Sequence, residues 1–100
     1  MNFKTAVAVV ESSPTRILAT SEFGVSLEEI QLGEHVITFP AHVAVFGCIA
    51  TQNASVGIIT AVPGSKSGLL ANQVRVLSFS PDTNLAGLPY TLAAFYSVGD

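Results

Sequence analysis

The chain has 100 residues, 49% of them hydrophobic and only 11% charged, with a formal net charge of −3. That length makes a single domain, 1–100, with one core, and the four basic residues Lys4, Arg16, Lys66 and Arg75 are scattered where nucleic-acid recognition needs clustered cations. The longest apolar run, Val43–Ala50, is far shorter than the ~20 residues of a membrane span, which excludes membrane insertion by a helix, and the single Cys48 excludes an intrachain disulfide.

From the amino terminus, Thr5–Val10 (TAVAVV) is too short for a secretory leader and is followed by Glu11, so the expectation is cytoplasmic synthesis without a signal peptide. The periodicity is that of strands. A first strand is predicted over 3–10, ended by Ser12-Ser13-Pro14, and a second over 16–20, ended by Glu22-Phe23-Gly24. A third is predicted over 24–30; Ser26 and Glu29 stand at capping-box spacing, but Gly33 follows too soon for a helix, so strand or short turn is favoured.

After the Leu32-Gly33-Glu34 turn, His35–Phe39 alternates, with Ile37 and Phe39 on one face and Thr38 on the other. Val43–Ala50, within a predicted strand over 43–51, is apolar on both faces, as in a central strand with core on one side and a neighbour on the other. Cys48 lies in that run and is read as an inert buried thiol. Gln52-Asn53-Ala54-Ser55 is a turn before a strand over 56–62; its Asn-x-Ser sequon is read as turn chemistry only. The segment Pro63–Gly68 reads as a hairpin tip. In a strand over 72–80, Val74 and Val76 alternate with Gln73 and Arg75, and the loop Pro81–Pro89 leads into a last strand over 90–97. About eight short antiparallel strands of β-branched and aromatic residues, with long loops after the sixth and seventh, define an all-β, jelly-roll-like β-sandwich.

Several motifs fall along this frame in one order: Gly24-Val25-Ser26, Gly33-x-x-Val36-Ile37-Thr38-Phe39, Val43, Cys48-Ile49-Ala50-Thr51, Gly57-Ile58-Ile59, Val74-Arg75-Val76-x-x-Phe79 and Pro89-Tyr90-Thr91-Leu92-Ala93-Ala94-Phe95. Over roughly residues 16–96 this order resembles the small β-sandwich modules of bacterial surface proteins and phage fibre or virion proteins. Their pattern runs G-V-x-S, G-x-Y-x-V-x-F, C-A-x-x-A-T, V-x-V-x-x-F and P-F-x-L-A-V. The chain departs from it at His35, where an aromatic is usual, at Ile49, which replaces alanine, and at Tyr96, where a second cysteine often stands. The resemblance implies a non-catalytic assembly or adhesion module, a homotrimer in a virion, fibre or other extracellular assembly. It transfers no site residues.

The polar residues add little chemistry. His35 and His42 flank the Phe39-Pro40 turn, but zinc needs three or four ligands, so they are read as ordinary surface or interface histidines. Asp82-x-Asn84 offers oxygens at calcium-like spacing with a single carboxylate, and an Asx turn is the better reading. Gly64-Ser65-Lys66-Ser67-Gly68 lacks the order of a phosphate loop. Glu28 and Glu29 are adjacent and, in a strand, point to opposite faces. The expectation is therefore no catalytic residue, cofactor or metal, and a structural protein that associates with itself as a capsid decoration (cement) protein or tail-fibre head. The alternative is a glycan- or receptor-binding module with a partner loop formed by Lys66, Asp82, Thr83, Asn84 and Tyr90.

Overall fold

Alternation of apolar and polar side chains carries the chain into eight strands, and a computed structural model describes residues 2–12, 14–53 and 57–98. The strands are β1 (Asn2–Ser12), β2 (Thr15–Thr20), β3 (Ser26–Gln31), β4 (Glu34–Thr38), β5 (Val45–Gln52), β6 (Ile58–Pro63), β7 (Gln73–Phe79) and β8 (Tyr90–Val98). The Ser26–Ile30 segment is strand, as its short run before Gly33 required. A single 3-10 turn, Gly64–Lys66, opens the β6–β7 connection. The sequon residues Ala54 and Ser55, with Val56 of the expected sixth strand and Ser13 of the first turn, lie outside the described residues.

Two antiparallel sheets form, sheet I in the order β2-β1-β8-β5 and sheet II in the order β3-β4-β7-β6. Facing each other, they make a β-sandwich. β2 lies beside β3 at one open edge and β5 beside β6 at the other. The β4–β5 connection, which crosses from sheet II to sheet I, is tied to the β6–β7 connection by hydrogen bonds: the Phe39 amide donates to Asn72 O (2.8 Å), the Val45 amide at the start of β5 donates to Ala71 O (2.9 Å), and Asn72 Nδ2 donates back to Phe39 O (2.6 Å).

The core follows the two-residue period. Ala6, Ala8 and Val10 of β1 and Tyr90, Leu92, Ala94 and Tyr96 of β8 point inward, meeting Ile37, Val74 and Val76 of sheet II and the loop residues Phe39 and Val43. Small stands beside large across the register of sheet I, with Ala8 opposite Leu92 and Val10 opposite Tyr90 on its inner face. Each fully buried Leu, Ile, Val or Phe contributes about 1.5–3 kcal/mol relative to exposure.

One expectation is overturned. The apolar run Val43–Ala50 is not a central strand: Val43 is a buried loop residue, and β5 is the edge of sheet I, paired only with β8 within that sheet. A register shift between Val45 and Gly47 breaks the alternation there, leaving Phe46 and Ile49 each 57% exposed while Cys48 and Ala50 pack against the core. Apolar residues on both faces thus reflect a covered inner face and an uncovered outer one.

Two glycines are required by position. Gly33, at φ +81, has the left-handed backbone that closes the β3–β4 hairpin, and a Cβ there would lie 2.7 Å from Ala86 N and 2.8 Å from Ser78 O. Gly64 is buried so closely under Leu70 and Gln73 carbonyls that no side chain fits. The Pro63–Gly68 tip is therefore packed at its base rather than wholly free.

Candidate interaction face and polar sites

The residues expected to form a partner loop are not brought together. Lys66 lies in the connection before β7, whereas Asp82, Thr83 and Asn84 lie in the connection after it, at the opposite end of the strand. Tyr90 is fully buried in the core and presents no ring to a ligand. Sequence reasoning placed it at a loop margin, but its inward parity on β8 decides its place.

Asp82 closes its own loop. Its carboxylate accepts from Ser80 Oγ, from Asn84 Nδ2 (3.1 Å) and from the Asn84 amide (3.5 Å). The hydrogen bond from Ser80, followed by that from the Asn84 backbone, holds its pKa below the ordinary value. This is the Asx-type turn that the sequence suggested. Thr83, at its tip, adopts φ +69, which a β-branched residue rarely takes.

The histidines separate as well. His35, read as a surface or interface residue, is buried: its position on β4 points it inward, opposite Tyr90. Nε2 lies 3.3 Å from Glu29 Oε1, which also accepts from Thr15 Oγ1 (3.0 Å), and Nδ1 lies 2.9 Å from the Tyr90 hydroxyl. A carboxylate only accepts, so Nε2 carries the proton and Nδ1 accepts from the Tyr90 O–H. Desolvation lowers the His35 pKa despite the opposing hydrogen bond and charge of Glu29, and burial raises that of Tyr90. The arrangement is an interior polar clamp between the two sheets. His42 is exposed in the β4–β5 connection, with Nε2 3.4 Å from Glu22 Oε1 and its ring edge-on to Tyr96. Cys48 is half-buried, with its thiol pKa raised by desolvation.

No pocket opens, and no cluster of three or more His, Cys, Asp or Glu side chains gathers, among the described residues. The extended chemical feature is instead the outer face of sheet I. Residues paired across antiparallel strands point to the same side, so the register places Val7, Ala93 and Ile49 in one row. Val9, Thr91 and Thr51 form the row on one side of it, and Thr5, Phe95 and Gly47 the row on the other. Ala19 of β2 extends the Val9 row. At the end near the start of β1, Phe3 (70% exposed) packs edge-on against Phe46, ring centroids 5.4 Å apart. None of these residues is charged. The Glu11–Arg16 pair borders the face at its other end. The signal was legible in TAVAVV (Thr5–Val10) and in the Val43–Ala50 run, both apolar on alternate and on intervening positions.

The outer face of sheet II differs. Arg75 Nη1 lies 3.4 Å from Glu34 Oε2, Gln31 Nε2 donates to Glu34 Oε1 (2.7 Å), and Glu28 pairs across from Val36. These charged and amide side chains interrupt the apolar Val36, Ile58, Val62, Leu77 and Phe79 on the same face, whereas the rows of sheet I carry no charge and gain by exclusion of water.

No protein-family model matches this chain, and it matches no curated protein and no solved structure.

Proposed function

We propose that this chain is a non-catalytic structural protein whose function is to associate with copies of itself. In this reading it is a β-sandwich, trimeric as the resemblance implies, that serves as a capsid decoration protein or tail-fibre head in a virion or extracellular assembly. The observation that carries the reading is the chemistry of the surface. Among the described residues nine large apolar side chains are at least half exposed: Phe3, Leu18, Phe23, Ile30, Leu32, Phe46, Ile49, Ile58 and Leu70. The accessible surface is 5412 Å², the size of a lone folded chain of this mass, and it carries few charges to keep copies apart.

Full burial of such a side chain is worth about 1.5–3 kcal/mol, so covering the exposed halves of nine yields on the order of 10 kcal/mol. That is comparable with the roughly 4–15 kcal/mol cost of association, which makes stable assembly attainable when several are covered together. The nine lie on more than one side of the sandwich: Ile58 is on β6, Phe23 at the β2–β3 turn (98% exposed) and Leu32 at the β3–β4 turn. A subunit with several neighbours, as in a capsid lattice or fibre, uses such a distribution.

The test is the solution mass by light scattering after size exclusion, at micromolar and sub-micromolar concentration. The expected result is a mass near three chains that survives dilution. A mass of 10.4 kDa at every concentration would overturn self-association.

A further inference from the structure

We propose that copies of this chain meet on the outer face of sheet I, with the symmetry axis of the assembly running beside Ala93; the inference rests on the self-association proposed above. Next to a rotational axis each residue meets its own copy, so any charge there is set against an identical charge. The central row of this face, Val7–Ala93–Ile49, and the rows flanking it carry no charge. The same uncharged face offers nothing to a strongly acidic or basic partner, which leaves a second copy as the occupant its chemistry fits.

The size of the face agrees. Four strands about 4.8 Å apart, with a β8 of nine residues rising about 3.3 Å each, span roughly 19 × 30 Å. Three such faces gathered about one axis remove on the order of 1,700 Å² from water in all, above the roughly 1,000 Å² expected of a specific association. Its composition has the anatomy of an interface as well, with aromatic and aliphatic side chains inside and the Glu11–Arg16 pair at the border. The competing surfaces are weaker. Sheet II sets Glu28, Glu34 and Arg75 among the apolar Val36, Ile58, Val62, Leu77 and Phe79 of its outer face, so charge interrupts that surface, and the β2–β3 turn offers the single ring of Phe23 beside Glu22, which is engaged with His42.

The experiment compares the wild-type chain with Ala93→Lys and with Thr60→Lys, which places the same charge on the exposed outer face of sheet II. The readouts are circular dichroism and solution mass. The expected result is that Thr60→Lys keeps the wild-type mass, while Ala93→Lys folds and requires at least a hundredfold higher concentration to assemble. Should Ala93→Lys fail to fold, Ala93→Cys in a Cys48→Ser background replaces it, and a short bis-maleimide is expected to link two copies through position 93. A wild-type chain that is monomeric at every concentration would overturn the self-association reading itself. A wild-type oligomer unaffected by Ala93→Lys, or broken by Thr60→Lys instead, would leave that reading standing and overturn the placement on sheet I. In the fallback, absence of cross-linking in an oligomer of wild-type mass would overturn the placement in the same way.

Discussion

Removing one oxygen from the interior clamp, by Tyr90→Phe, tests the packing of the two sheets against each other. The ring of Tyr90 is fully buried, and its hydroxyl donates to His35 Nδ1 at 2.9 Å. Phenylalanine keeps the ring and its apolar contacts but leaves Nδ1 as a buried acceptor without a donor. Leaving such a group unpaired costs about 1–3 kcal/mol. For a domain of this size each kcal/mol moves the thermal midpoint by about 4–8 °C, so the midpoint is expected to fall by roughly 5–20 °C at pH 7.5. Thermal unfolding followed by circular dichroism, at one fixed protein concentration because assembly shifts midpoints, measures this. A midpoint within about 2 °C of wild type would refute the buried hydrogen bond.

The same clamp sets a pH dependence whose sign follows from burial. His35 is neutral when folded and its folded pKa is depressed, so its contribution to stability is fully present above the unfolded value of about 6.5. As pH falls below that value, the unfolded chain takes up a proton that the folded chain resists. Stability is then lost progressively down to the folded pKa. The wild-type midpoint is expected to drop as pH falls below about 6.5, and His35→Gln to flatten that drop. An equal drop in both proteins would contradict the neutral buried imidazole.

Three other outcomes follow from local geometry. Gly33→Ala forces a side chain into the left-handed region and against the Ala86 and Ser78 backbone; it is expected to destabilise by about 2–4 kcal/mol in denaturant titration, from conformational and overpacking costs together. Thr83→Gly acts in the opposite direction, relieving the left-handed backbone of an exposed β-branched residue, and a gain of about 0.5–1 kcal/mol is expected in the same titration. The Cys48 thiol, half-buried with its pKa raised by desolvation, is expected to react with a chromogenic disulfide reagent at least tenfold more slowly at pH 8 in the folded protein than in denaturant. Equal rates would show the thiol to be open to solvent.

The all-β class, the eight strands within a few residues and the turns between them were readable from the chain alone. Each depends on local chemistry: two-residue alternation, β-branched side chains, and Gly or Pro where the backbone must reverse. The charge-poor surface was equally a matter of composition. What the sequence did not decide is which strand lies beside which. β5 read as a central strand because both its faces are apolar, yet pairing with β8 alone within its sheet makes it an edge. His35 read as a surface residue because its partner Tyr90 stands 55 positions away, and Lys66 and Asp82 read as one site although β7 holds them at opposite ends. The entropy of closing a loop grows only with the logarithm of its length, so spacing along the chain barely constrains which distant strands meet. Tertiary pairing alone gathered Val7, Ile49 and Ala93 from three separate segments into one uncharged row.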